Sequence, residues 1–194
     1  GKTTIISGDL SISGNLTSGG SVGGASALTD LSDVLYENNS LYVGQTPSHG
    51  SFVSANAVRN IAFGKEALNN IYEGDDNIGV GYRALRDPRN SSRNIAIGTD
   101  CMRIKYDGND CIAIGYDVLG GTSLSNDLIY IGNYAANQSQ SRYRSIGIGM
   151  YTQQYIMGYN SAGTNTRGNV SLGHYSLQGT STSNSADWNT AIGN

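Results

Sequence analysis

The chain has 194 residues, Lys+Arg 12 against Asp+Glu 15, a formal net charge of -3 and only 14% charged residues. That balance lacks the basic footprint of a nucleic-acid binder, and no continuous apolar run is long enough to cross a membrane as a helix. Gly 27 against Pro 2 supplies many permissive turns and few rigid ones.

The first segment, 1–27, opens GKTTIISGDLSISGNLTSGG. Leu10, Ile12 and Leu16 alternate with small polar residues, and Gly14-Asn15 breaks the run, so short strands with a tight turn are expected. SGGSVGGAS at Ser18–Ser26 is a flexible linker by composition. A connecting segment, 28–57, holds LTDLSDVLYENNSLYVG, in which Thr29 or Asp30 suits the start of a short helical turn and Leu41–Val43 begin strand-like spacing. PSHGSFVSAN at Pro47–Asn56 is loop-like.

From residue 58 the chain repeats itself. Six glycines, Gly64, Gly81, Gly98, Gly115, Gly132 and Gly149, follow one another at steps of 17 residues, at the ends of IAFG, IGVG, IAIG, IAIG, IYIG and IGIG. Weaker copies flank them: LYVG at Gly44, YIMG at Gly158, VSLG at Gly173 and TAIG at Gly193, at steps of 20, 9, 15 and 20 residues. A regular block over 58–155 and an irregular one over 156–194 are therefore expected, and the short steps near Gly158 count against a uniform stack there. The chain begins at Gly1 rather than Met and stops within a repeat, at NTAIGN, so a piece of something longer with an uncapped edge is expected.

Each copy sets large apolar residues three and one positions before its glycine, with a small residue between them, as in Ile95, Ala96 and Ile97. That is period two, a strand with two unlike faces. EGDDN at Glu73–Asn77, RDPRNSSRN at Arg86–Asn94 and YDGND at Tyr106–Asp110 supply turns. Ala67-Leu68, Ala84-Leu85, Cys101-Met102 and Val118-Leu119 follow the glycines and read as a second short strand or a bend whose leucine turns inward. A unit of this size cannot bury its own apolar face, but stacked units can, with equivalent strands paired in parallel about 4.8 Å apart. Helical repeats need about 33 residues or more. The fold expected is all-β, a parallel β-solenoid or β-roll of about 17-residue coils. The expected core is one stack of Ile61, Phe63, Ile78, Val80, Ile95, Ile97, Ile112, Ile114, Ile129, Ile131, Ile146 and Ile148. The small middle residues are expected where backbones approach closely, between chains rather than at a bend within one, because a thin coil has much surface and little interior.

The search for chemistry finds few candidates. GKTT at Gly1–Thr4 lacks the upstream glycine and strand of a phosphate-binding loop. His49 and His174 are the only histidines, and no catalytic triad pattern accompanies them. YDGND offers oxygen atoms near a glycine but not the spacing of a calcium loop. Cys101 and Cys111 lie in adjacent coils without a CxxC pair; they read as small apolar residues in an alanine-like and an asparagine-like slot. Asp100 and Asp117 share one repeat position, about 5 Å apart when stacked, near the separation used by retaining glycosidases. Glu66 and Arg83 hold the same position in earlier coils, so a mixed-charge ladder is the expected reading and no catalytic residue is assigned. The tyrosines form ladders. Tyr82 and Tyr116 share the position after the glycine, as does Tyr159 in a later copy, while Tyr134, Tyr151 and Tyr175 share the next. A half-exposed tyrosine stacks on a sugar and donates a hydrogen bond. These six are the candidate receptor contacts, with packing between coils or subunits as the alternative. No cofactor or metal is expected.

The phrases NIAIG and NTAIG with the following AL pair, together with GDLSISGNLT and LTDLSDV upstream, resemble bacteriophage tail-fibre and related virion-appendage proteins that carry NTAIGYxAL-like repeats. The strand phrase alone is also similar to the head repeats of trimeric autotransporter adhesins. Cys111, Leu128 and Ser145 depart from the pattern where other copies open with asparagine. Both resemblances imply homotrimers, and the second implies a left-handed parallel β-roll. The function implied is a non-enzymatic structural and adhesive segment of a virion appendage in host attachment. Its implied partners are itself, other appendage proteins and a host surface carbohydrate or protein, with no nucleic acid and no membrane insertion. A bacterial surface adhesin head and a polysaccharide-cleaving tailspike are the alternatives.

Overall fold

A computed structural model of the chain describes residues 34–44, 57–104, 108–121, 125–138, 142–154, 166–178 and 188–194. The expectations for 1–27, for Thr29 and Asp30, for His49 and for Tyr159 fall outside them. The elements are β1 (Val34–Glu37), β2 (Ser40–Val43), β3 (Ile61–Phe63), β4 (Ile78–Val80), β5 (Ile95–Ile97), β6 (Ile112–Ile114), β7 (Ser125–Asn126), β8 (Ile129–Ile131), β9 (Arg142–Tyr143), β10 (Ile146–Ile148), β11 (Thr166–Arg167), β12 (Val170–Leu172) and β13 (Thr190–Ile192).

The repeat phrases become the rungs of one 10-stranded sheet in the order β1-β2-β3-β4-β5-β6-β8-β10-β12-β13. All pairs but the first are parallel, and the glycine phrases stay in register: Ile61 faces Ile78, Ile78 faces Ile95, and so on to Val170 against Thr190. β7, β9 and β11 form a second, 3-stranded parallel row. The molecule is thus an all-β parallel solenoid with a 17-residue coil.

Three of the four flanking copies join the same sheet, LYVG as β2, VSLG as β12 and TAIG as β13. β2 pairs with β3, so LYVG in the connecting segment is a rung. β1 folds back on β2 in an antiparallel hairpin. Its turn residues Asn38 and Asn39 hold φ of 51° and 57°, the left-handed values that a two-residue hairpin turn demands and that asparagine tolerates. Beyond the regular block, β10 pairs directly with β12, so the sheet runs from Gly149 to Gly173 without using the YIMG copy. The parallel register therefore carries across the irregular step.

The asparagine that opens most copies has a physical role. Asn77 donates its backbone N–H and its Nδ2 to Asn60 Oδ1 at 2.9 and 3.1 Å, and also donates Nδ2 to Ser91 O at 2.8 Å. Asn94 repeats the pattern on Asn77 Oδ1 and on Gly108 O. Each buried amide thus satisfies one coil's backbone from the next. The ladder lapses at Cys111, Leu128 and Ser145 and resumes between Asn169 and Asn189.

The glycine is required by close approach. At Gly81, φ is +128°, and a Cβ there would lie 2.6 Å from the carbonyl oxygen of Gly98 in the next coil. The corner after each glycine is strained as well. Asp100, Asp117 and Tyr151 hold φ of 55°, 50° and 57°, and Leu85, Met102 and Leu119 hold 48°, 52° and 53°. Left-handed backbone costs about 1–2 kcal/mol per residue. It persists because neighbouring coils clamp it: Asp117 N donates to Thr99 O at 3.0 Å, and Met102 N donates to Val118 O at 2.8 Å.

The faces of the strands are the reverse of the expected ones. Ala62, Gly79, Ala96, Ala113, Tyr130 and Gly147 are buried, whereas their large neighbours are half-buried or exposed. Ile61, Phe63, Ile97 and Ile148 are 39%, 42%, 39% and 41% exposed. The small residue faces inward because the Ala-Leu bend lies against it: a Cβ on Gly79 would sit 3.1 Å from Ala84 O and 3.4 Å from Leu68 Cγ. The close approach is therefore within one chain, not between chains. The core consists of these small residues, the Ala67, Ala84, Cys101, Val118 and Ala135 column, and the inward Leu68, Leu85, Met102 and Leu119. The expectation that the leucine turns inward holds; it does so from a bend rather than a strand.

Toward the C-terminal end the core changes character. Tyr130 takes the small middle position, and the next coil answers with Gly147, where a Cβ would lie 2.5 Å from the Tyr130 ring. Ala136 and Gln153 follow in the leucine column. The Tyr130 hydroxyl donates to Gln153 Oε1 at 2.6 Å, and Gln153 Nε2 donates to Ile146 O and Ser171 Oγ, both at 2.8 Å. A hydrogen-bonded interior thus replaces a leucine one, with its buried polar groups paired.

Candidate functional site

Two surfaces and one charged corner carry the chemistry. The first surface is the outer face of the long sheet. One column there runs Leu41, Ile61, Ile78, Ile95, Ile112, Ile129, Ile146 and Val170; the other runs Val43, Phe63, Val80, Ile97, Ile114, Ile131, Ile148, Leu172 and Ile192. None of these side chains is fully buried in the single chain. Nine strands, β2 to β13, spaced about 4.8 Å apart make the ladder roughly 38 Å long.

The second surface is the tyrosine ladder at the corner after the glycines. Tyr134 and Tyr151 stack with ring centroids 5.0 Å apart and planes 2° from parallel, and Tyr151 and Tyr175 stack at 5.0 Å and 4°. Tyr116 meets Tyr134 edge-on at 5.2 Å. His174 packs on Tyr175 at 4.1 Å, tilted by 32°. Four of the six candidate tyrosines are therefore brought together. Tyr82 stands apart, with the Arg83 guanidinium 4.6 Å above its ring. The faces of the inner rings are taken up by one another, so the sequence-based idea of sugars stacking on them does not describe Tyr134 and Tyr151. Loss of water raises the Tyr134 hydroxyl pKa above the usual phenol value, and the neighbouring Tyr116 and Tyr151 add to the effect.

The charged corner lies on the same column in earlier coils. Arg83 Nε lies 2.8 Å from Asp100 Oδ1, and its Nη2 donates to Asp100 Oδ2 at 2.9 Å. Arg103 Nε is 3.5 Å from Asp100 Oδ1. Asp117, in the next coil, accepts a hydrogen bond from Asn137 Nδ2. Burial pushes the Asp117 carboxyl above the ordinary carboxylate range; the Asp100 charge adds to this, while Arg103, Asn137 and Arg83 oppose it. Asp100 and Asp117 do occupy adjacent coils, yet both Asp100 oxygens face Arg83, which is the wiring of an ion-pair ladder. A second, exposed ladder pairs Arg59 with Asp76, Arg93 with Asp110 and, at 3.9 Å, Arg144 with Asp127. Exposed pairs of this kind are screened by water and contribute little to stability.

Cys101 and Cys111 are buried free thiols in the alanine and asparagine columns, as their spacing suggested. Burial pushes the Cys101 thiol up to about 12. Among the described residues no group of three or more His, Cys, Asp or Glu is placed to hold a metal ion. No helix among them is long and apolar enough to cross a membrane.

The apolar ladder is what sequence reasoning missed. The available signal was the Ala-Leu bend: a leucine turned inward from the bend leaves room opposite for only a methyl group. Comparison with family models, curated proteins and solved structures gave no match.

Proposed function

We propose that this chain is a structural and adhesive segment of a virion appendage, a homotrimeric fibre of the tail-fibre type acting in host attachment. The observation that carries the reading is the two-column apolar ladder on the outer face of the sheet. Single chains rarely expose contiguous apolar patches beyond a few hundred Å2, and larger ones mark interaction sites. A ladder about 38 Å long and two side chains wide runs along the solenoid axis, the geometry of a side-by-side contact between parallel copies. The four central rungs, β5, β6, β8 and β10, each offer two isoleucines, a uniform surface on which identical copies can lie side by side. The count of three comes from the family resemblance. Association also suits a coil with little interior of its own. A rigid stack of this kind holds its corner loops and tyrosine ladder outward, and three copies combine weak contacts into one firm attachment.

Light scattering of the purified chain tests the assembly. The expected mass is three chains, falling toward one when Ile97 and Ile148 are both changed to Ser. A wild-type mass of one chain at micromolar concentration refutes the reading. Incubation with host-surface polysaccharide should release no new reducing ends; release that disappears in Asp100→Asn/Asp117→Asn would instead establish a cleaving spike.

A further inference from the structure

The tyrosine ladder has a pitch, a polarity and a charge, and together they select a ligand. From Tyr116 to Tyr175 it offers one ring per coil, with centroid spacings of 5.2, 5.0 and 5.0 Å. The inner faces are closed by stacking, so the outward edges and phenol oxygens are what a ligand meets. Tyr116 and Tyr175 are 43% and 45% exposed. The Tyr151 and Tyr175 hydroxyls have no hydrogen-bond partner among the described residues. The neighbouring residues on the same rungs are Asn133, Met150 and His174, with no lysine or arginine, and Asp117 continues the column. The arginines of the adjoining corner, Arg83 and Arg103, face Asp100, so the ladder itself offers a polyanion no cation.

Pitch separates the remaining polymers. An extended peptide advances about 3.4 Å per residue and about 6.8 Å between residues on one face, so it falls out of step with the rungs within two coils. One unit of an extended β-1,4-linked glycan is close to one rung in length. Its hydroxyl groups both donate and accept, as phenols do.

We infer that the Tyr116–Tyr134–Tyr151–Tyr175 ladder is a track for a neutral, extended β-1,4-linked glycan, laid along the solenoid axis with about one sugar per coil. This deepens the receptor-contact role proposed above and rests on it. It also requires the ladder to read ring edges in series rather than one ring face at a time. Affinity then grows with each rung engaged, because contacts after the first are intramolecular.

The experiment is calorimetric titration of the full chain with two probe series, β-1,4-linked gluco-oligosaccharides and N-acetylglucosamine oligosaccharides, each from the disaccharide to the hexasaccharide. Affinity in at least one series should rise up to the tetrasaccharide and then level off. Tyr134→Asn/Tyr151→Asn should weaken the tetrasaccharide at least about tenfold. Asparagine tolerates the left-handed backbone at both positions, so circular dichroism and light scattering should be unchanged. Absence of binding in both series, affinity independent of length, or equal affinity in the variant overturns the inference, as does an attachment that survives only on a host protein. A wild-type mass of three chains without sugar binding removes this inference and leaves the assembly standing; a single chain that binds sugars with the stated length dependence does the reverse.

Discussion

Gly81→Ala tests the stacking geometry directly, and Gly193→Ala is its internal control. Both glycines sit at nearly the same backbone angle, φ of +128° and +134°. Giving either a side chain costs about 1–3 kcal/mol of backbone strain. They differ in what lies above them. At Gly81 the new Cβ lies 2.6 Å from Gly98 O and 2.8 Å from Gly98 C, where ordinary contact begins at 3.4 Å; at Gly193 nothing lies within 4 Å. The coils cannot separate freely at that corner, because Gly98 N is bonded to Val80 O at 2.8 Å and Asp100 N to Tyr82 O at 2.9 Å. Overpacking adds about 1–3 kcal/mol, and each hydrogen bond stretched or lost adds about 0.5–1.5 kcal/mol. Gly81→Ala should therefore cost at least about 2 kcal/mol more than Gly193→Ala. Urea unfolding followed by far-ultraviolet circular dichroism measures the difference from midpoint and slope. Equal midpoints for the two variants would refute the close stacking of successive glycines.

The inverted faces predict unlike outcomes for two adjacent residues. Ala96→Asp buries an unpaired carboxylate at a site that is 0% exposed and should abolish the β signal, a cost of several kcal/mol. Ile97→Asp, at a site 39% exposed, should lose about 1–2 kcal/mol within the chain, keep the β signal and reduce the mass seen by light scattering; the opposite order would restore the expected inward isoleucines. Cys101 and Cys111 should be silent to a thiol reagent in the folded protein and both react in urea, since both are fully buried and Cys101 is held as a neutral thiol with its pKa at about 12; fast reaction of either thiol in the native state contradicts their placement. Asp117 has a folded pKa above its unfolded one, so its contribution to stability is present below the ordinary carboxylate range and lost as pH rises through the raised value. Asp117→Asn should accordingly raise the urea midpoint at neutral pH and leave it nearly unchanged in acid, whereas a lower neutral midpoint would mean that its charge is stabilising. Asp76 works the other way: Arg59 lowers its pKa, so that contribution is present above the unfolded value and lost as pH falls.

Everything that depends on spacing along the chain could be read from the order of residues. The 17-residue steps from Gly64 to Gly149 set the coil length and the parallel register, and alternation about Ala96 set a strand with two unlike faces. The shared positions of Tyr134, Tyr151 and Tyr175, and of Asp100 and Asp117, were legible for the same reason. Which face lies inside became visible in the folded coil alone. Periodicity reports that two faces differ, but the volume enclosed by the coil is set by the bend across from the strand, and Leu68 beneath Gly79 leaves no room for an isoleucine. The folded coil also decided that the sheet passes from Gly149 to Gly173 without the YIMG copy, because a rung is admitted by its hydrogen-bonding neighbour and not by its motif. The use of the tyrosine rings was hidden likewise. Residues one coil apart share a corner, but whether rings stack on one another or lie open to a ligand depends on side-chain orientation at a left-handed backbone, which the order of residues does not encode.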